Sequence, residues 1–130
     1  MGFIGASLNL DIGINSNDRT DAYYLIDGIN YDLETQNEQI TENIKVTILL
    51  NVYNNRNDRL IRANPLESRT YERIVTRSDI DTLSMSDYYI YCKPLIIKEL
   101  KINLSLKLEI DITDEIPSEY SQYYSLTDHL

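Results

Sequence analysis

The chain has 130 residues with 42% hydrophobic content, enough for one domain with a small core. Twelve basic against twenty-one acidic residues give a net charge of -9, a field that disfavours nucleic acid and anionic membrane surfaces as partners. A single cysteine, Cys92, excludes an internal disulfide framework, and no apolar run approaches the ~20 residues of a spanning helix.

No basic region precedes the apolar start Met1 to Leu10, so the expectation is a protein without an export signal, located in a virion or in the cytoplasm. Gly2 does not make a myristoylation site, because Ala6 stands where Ser or Thr is needed.

Leu8, Leu10, Ile12 and Ile14 alternate with Asn9, Asp11 and Gly13, which predicts a first strand that stops in the polar run 15–21. Tyr23 to Ile26 and Ile29 to Leu33 flank Asp27-Gly28, a pair suited to a type I′ turn, and so predict a hairpin. Residues 34–43 are polar and lack a period, as expected of a loop or one helical turn. Ile44, Val46, Ile48, Leu50 and Val52 predict a second long strand, closing at the turn-rich Asn54 to Asp58. Tyr71 to Thr76 reads as a strand, and Ser78 followed by Asp81 as the cap of a short helix near 78–86. Tyr88 to Lys93 has β character, and Pro94, which cannot donate to a ladder, marks a corner.

From Leu100 to Ile112 every second residue is apolar, with polar residues between, which predicts a long final strand over about 97–113. The thirteen alternating residues would span roughly 43 Å, against a diameter of about 36 Å for a compact domain of this length. Such a strand bends between two sheets or reaches beyond its own domain. The whole reads as all-β, a single-domain antiparallel β-sandwich or barrel over 1–117 with a Tyr-bearing tail over 118–130. An α+β fold with its helix near 78–86 is the fallback.

Six of the seven Arg fall within 22 residues: Arg56, Arg59, Arg62, Arg69, Arg73 and Arg77. Against Asp58, Glu67 and Glu72 the segment is positive by three, which leaves the rest of the chain at -12. This is a basic loop able to meet an acidic surface on a neighbouring copy, or else to pair with the domain's own carboxylates. Eleven Tyr against one Phe and no Trp place hydroxyl-bearing rings in clusters at 23–24, 88–91 and 120–124. These suit sheet packing, a protein interface or the faces of sugars. In the tail, Tyr120, Tyr123 and Tyr124 are expected to order against a partner.

Metal binding finds no ligand set, since His129 and Cys92 are single and far apart. The oxygen-rich run Asn15 to Asp21 fails the calcium-loop pattern at Arg19 and Thr20. No nucleophile–base pair, phosphate loop or dinucleotide fingerprint is present, so no catalytic residue, metal or cofactor is assigned. Paired carboxylates acting on a glycoside would be the only enzymatic reading. The expectation is a non-enzymatic structural or assembly protein, a subunit of a symmetric oligomer such as a ring or collar. Its partners are then further copies of itself and other structural proteins. A composition rich in Asn, Ile, Lys, Tyr and Asp fits an AT-rich genome and points to a bacteriophage neck, connector or tail component, with no family motif behind it. The alternative is a carbohydrate-binding β-sandwich module.

Overall fold

The alternation from Ile44 to Val52 becomes the middle of the molecule. The computed structural model describes residues 1–9, 11–36 and 39–129. In it, strands β1 (Gly2–Ser7), β2 (Arg19–Gln36), β3 (Gln39–Tyr53), β4 (Glu67–Thr76) and β5 (Leu126–His129) form one antiparallel sheet in the order β4-β3-β2-β1-β5. Val46, Ile48, Leu50 and Val52 are fully buried, while Leu49, on the opposite face, is 37% exposed. Tyr24 and Ile26 lie beside Val52 and Leu50 on β2, and Tyr71 and Val75 beside Ile48 and Ile44 on β4. This apolar face needs a cover, and the cover is a helix.

That helix, α2 (Met85–Lys107), occupies most of the segment expected to be the long C-terminal strand. A two-residue alternation contains a four-residue one. Tyr88, Cys92, Ile96, Leu100 and Leu104 recur every fourth position and are all buried, whereas Ile102 and Leu106, which a strand would align with them, are 38% and 61% exposed. An i, i+4 stripe is one face of a helix. Leu, Lys and Glu, frequent between Leu95 and Glu109, also favour helix over strand. Pro94 lies inside α2 rather than at a corner, on its exposed side, so the bond it cannot give to the Ile90 carbonyl is lost where water can serve. The β character read at 88–93 is likewise helical.

The fold is therefore mostly antiparallel sheet with a few helices, open and covered on one face, in place of the expected sandwich or barrel. Five other local expectations differ. β1 begins at Gly2 and ends at Ser7, and residues after it form a loop in which Gly13 takes φ 74°; Leu10 lies outside the described residues. Asp27-Gly28 is no turn. The register passes from Ile26 opposite Leu50 to Gly28 opposite Leu49, so Asp27 is the extra residue of a bulge within β2. The polar run 34–43, expected to be a loop or one helical turn, is strand where described, in β2 up to Gln36 and in β3 from Gln39, with residues 37 and 38 outside the described residues. The short helix expected near 78–86 is a 3-10 turn at Ile80–Thr82, and the turn-rich 54–58 segment opens helix α1 (Arg56–Leu60), capped by Asn55.

Why α2 starts where it does is a local matter. The Ser84 hydroxyl accepts from the Asp87 amide, and the Asp87 carboxylate accepts from the Ser84 amide at 2.7 Å, a reciprocal capping box. Hydrogen bonds from the Ser84 amide, then its hydroxyl, lower the pKa of Asp87. A lowered carboxylate pKa contributes stability that is present above the ordinary value and lost as pH falls through the folded one. Ser84→Ala is expected to lower stability near neutrality by about 1 kcal/mol, with the gap to the parent narrowing in acid as Asp87 protonates. Thermal melts of both proteins between pH 2 and 7 check this, and a gap independent of pH contradicts it.

Candidate assembly interface

Residues 8–18 connect β1 to β2 as an oxygen-rich loop, and what they close around is a lysine. Lys107, in the last turn of α2, is 1% exposed at its side chain and lies 3.2 Å from the Asp18 carboxylate, itself fully buried. Its ammonium also donates to the carbonyls of Asn9 and Asp11. Asp18 further accepts from the amides of Asn9 at 2.7 Å and Asn15 at 3.0 Å, and the Gly13 amide donates to the Lys107 carbonyl at 2.8 Å. This loop, which shares residues 15–18 with the oxygen-rich run Asn15 to Asp21, thus holds a cation belonging to the chain. Among the described residues no cluster of three or more His, Cys, Asp or Glu is placed to hold a metal.

The six arginines separate into two groups. Arg69 and Arg73 project from β4 toward α2. Arg69 donates to Glu99 on α2 at 2.8 Å and to Glu67 at 2.5 Å, and Arg73 lies 5.0 Å over the Tyr91 ring. Burial, partly offset by the Arg69 charge, pushes the Tyr71 hydroxyl up to about 12, and that hydroxyl donates to Glu99 at 3.1 Å. These two arginines hold the helix to the sheet. Arg56, Arg59, Arg62 and Arg77 are exposed. The first three gather on and after α1, beside Tyr23, Tyr53 and Asp27 on the sheet face away from α2. Leu60 and Ile61 stand among them, 55% and 75% exposed. Arg69→Glu is expected to destabilise the isolated fold by about 2–4 kcal/mol, since it sets a third carboxylate against Glu67 and Glu99. Arg77→Glu is expected to change it by less than about 0.5 kcal/mol. Denaturant melts of the two variants give the comparison, and equal stabilities contradict it.

Most tyrosines of the first two clusters serve the core. Tyr23, Tyr24, Tyr88 and Tyr89 are buried, and Tyr24 donates to the Ala6 carbonyl. Cys92 is fully buried, and desolvation pushes its thiol up to about 11. The segment expected to be a loose tail supplies a 3-10 turn at Ser118–Tyr123 and then β5, which pairs with β1 from Leu126 to His129. Close approach needs Gly5 here, because a Cβ would stand 2.5 Å from the Ser125 carbonyl. Tyr124 packs under Lys101 of α2 at 5.1 Å, while Tyr120 and Tyr123 are part-buried in the turn. The tail tyrosines therefore lie in and just after a turn packed on β1, β2 and α2, Arg69 and Arg73 lie on β4 at the far end of the strand order, and Arg56 and Arg59 lie beside Tyr23 and His129, so the structure does not gather these residues into one patch.

One feature escaped sequence reasoning. β1 pairs with β2 only from Arg19 to Tyr24, and β2 runs on to Gln36. Past Tyr24, beside the Gly2 start of β1, the Tyr89 hydroxyl takes the place of a strand: it accepts from the Ile26 amide at 3.0 Å and donates to the Met1 carbonyl at 3.1 Å. Up to Ile26, then, even-numbered β2 residues turn their amides away from β3. The bulge at Asp27 reverses the parity, so beyond it Ile29, Tyr31 and Leu33 face outward. Among the described residues no strand pairs with that edge. The side chains of Tyr31 and Leu33, on the α2-facing side, are 53% and 47% exposed. The buried Tyr88 hydroxyl has no hydrogen-bond partner among the described residues, and desolvation first, then Tyr31, pushes it up to about 12. The Asp-Gly pair hid this edge, because it suggested that the chain turned back there.

Comparison with protein-family models, with curated proteins and with solved structures finds no match to this chain. No described helix is long and apolar enough to cross a membrane.

Proposed function

We propose that this chain is a non-enzymatic structural subunit that assembles with further copies of itself, and with other structural proteins, into a symmetric oligomer of ring or collar type. The observation that supports it best is the patch at α1. Exposed Arg56, Arg59 and Arg62 stand on and just after α1 with exposed Leu60 and Ile61 between Arg59 and Arg62 in sequence, in a chain that is otherwise strongly acidic. Apolar side chains ringed by guanidinium groups are what a protein interface uses, and a basic patch on an acidic body complements a second copy head to tail. The overlong strand expected to reach a neighbour does not support this reading, because that segment is largely helix α2. Support for a bacteriophage neck, connector or tail comes from the AT-rich composition alone.

Light scattering across protein and salt concentrations tests the proposal. The expected result is a defined multiple of 15.2 kDa that loosens as salt screens the arginines. A strict monomer throughout overturns self-assembly.

A further inference from the structure

We propose that the free edge of β2, from Asp27 to Thr35, is a two-fold interface that pairs antiparallel with the same edge of a second copy, joining two five-stranded sheets into one. The inference rests on the assembly reading and names one contact within it.

The edge offers two things at once. Ile29, Tyr31 and Leu33 carry the outward backbone groups, and the exposed side chains of Tyr31 and Leu33 stand at the same positions. One added strand satisfies the amides and covers the rings and methyls together, as in strand-addition recognition. The outward residues all project side chains toward the α2 side. In an antiparallel ladder, hydrogen-bonded residues face each other with side chains on one face. Two β2 edges therefore match with both helices on the same side of the joined sheet.

Length and charge select the register. With Tyr31 opposite Tyr31 of the second copy, Ile29 meets Leu33, and Asp32 meets Asn30 on the other face. Moving the partner by one rung so that Asp32 faces Asp32 opposes two carboxylates, which is unfavourable. Moving it the other way drives Thr35 toward Leu25, where Met1 and Tyr89 already close the edge. β4 is a poorer incoming strand. The Tyr91 hydroxyl already donates to its Glu72 carbonyl at 2.7 Å. Brought alongside without slip, its first residues would also run into β1, since Glu67 and Tyr24 share a row across Val52.

The test uses the full chain with four single substitutions. Tyr31→Pro removes an outward donor without breaking a β2–β3 bond, and Leu33→Lys places a charge on the edge, so that either can report if the other misfolds. Both are expected to lower the solution mass at least two-fold with an unchanged circular dichroism spectrum. Tyr31→Cys places two thiols on Cα atoms about 5.5 Å apart across the two-fold, within disulfide reach, and is expected to give a covalent dimer under mild oxidation. Asp32→Cys is expected to give none. Buried Cys92 does not compete. If the parent assembles and its mass is indifferent to Tyr31→Pro and Leu33→Lys, the edge proposal is overturned while the assembly reading stands. If those variants dissociate but Tyr31→Cys forms no dimer, the two-fold pairing is overturned, because another strand then occupies the edge. A parent that is monomeric throughout overturns both.

Discussion

Replacing Lys107 with Met is expected to lower stability by about 3–5 kcal/mol, read as a fall of roughly 10–20 °C in melting temperature. The methionine fills the volume but leaves the Asp18 carboxylate buried with only the Asn9 and Asn15 amides to answer it. The carbonyls of Asn9 and Asp11 lose their donor as well. The cost comes less from the absent attraction than from a buried charge left without its counterpart. Asp18→Asn in the same chain removes that charge, so the double variant is expected to recover part of the loss, and the cycle gives the coupling. The loop 8–18 should also become the first point of proteolytic cleavage in Lys107→Met, since its anchor on α2 is gone. Lys45→Met serves as the contrast. Its partner Glu72 is 62% exposed and Lys45 itself 43%, and a change below about 0.5 kcal/mol is expected there. Equal melting temperatures for Lys107→Met and the parent would mean that the loop is not held by this pair.

Leu104→Asp is expected to abolish cooperative folding, and Leu106→Asp to leave it nearly intact. Two residues apart, these positions belong to one dry face in a strand and to different faces in a helix. Leu104 is fully buried at the fourth step of the ladder from Cys92 to Leu104, counting Cys92 as the first, and an unpaired carboxylate there costs several kcal/mol, a large part of a domain's stability. Leu106 is 61% exposed, so its aspartate remains hydrated and a cost of less than about 1 kcal/mol is expected. Near- and far-ultraviolet circular dichroism with a urea titration decides the matter. Equal disruption by both variants would restore the strand.

The strand at 44–52 was legible because β-branched Ile and Val carry its alternation, although Ile44, Ile48 and Val52 also fall four apart; the strand at 71–76 was the fainter reading, resting on its β-forming residues alone. In β3 the residues between the buried ones, Lys45, Thr47 and Asn51, stay part-exposed, so the residue-by-residue alternation survives in the fold. The stretch 100–112 has the same appearance and a different outcome, because Leu100 and Leu104 satisfy a two-residue and a four-residue period equally. Its neighbours break the tie: Tyr88, Cys92 and Ile96 continue the fourfold stripe backward, and Ser84 with Asp87 caps it. Of the candidate site, the basic character of 56–77 was readable, but not that Arg69 and Arg73 turn inward to α2 while Arg56, Arg59 and Arg62 stay exposed.

Composition, charge and local pattern thus established a single β-rich chain with an acidic body and a basic segment, because these depend on residues near one another in sequence. Three outcomes depended on residues far apart. The apolar face of β2, β3 and β4 had to be covered, and the segment able to follow it with a fourfold stripe became a helix. The Asn9–Asp18 loop received its cation from Lys107, about ninety residues away, where burial makes that pairing obligatory. The free edge of β2 is a mismatch in length, β1 pairing with it over Arg19 to Tyr24 while β2 runs on to Gln36, and it appears only once the strands are paired.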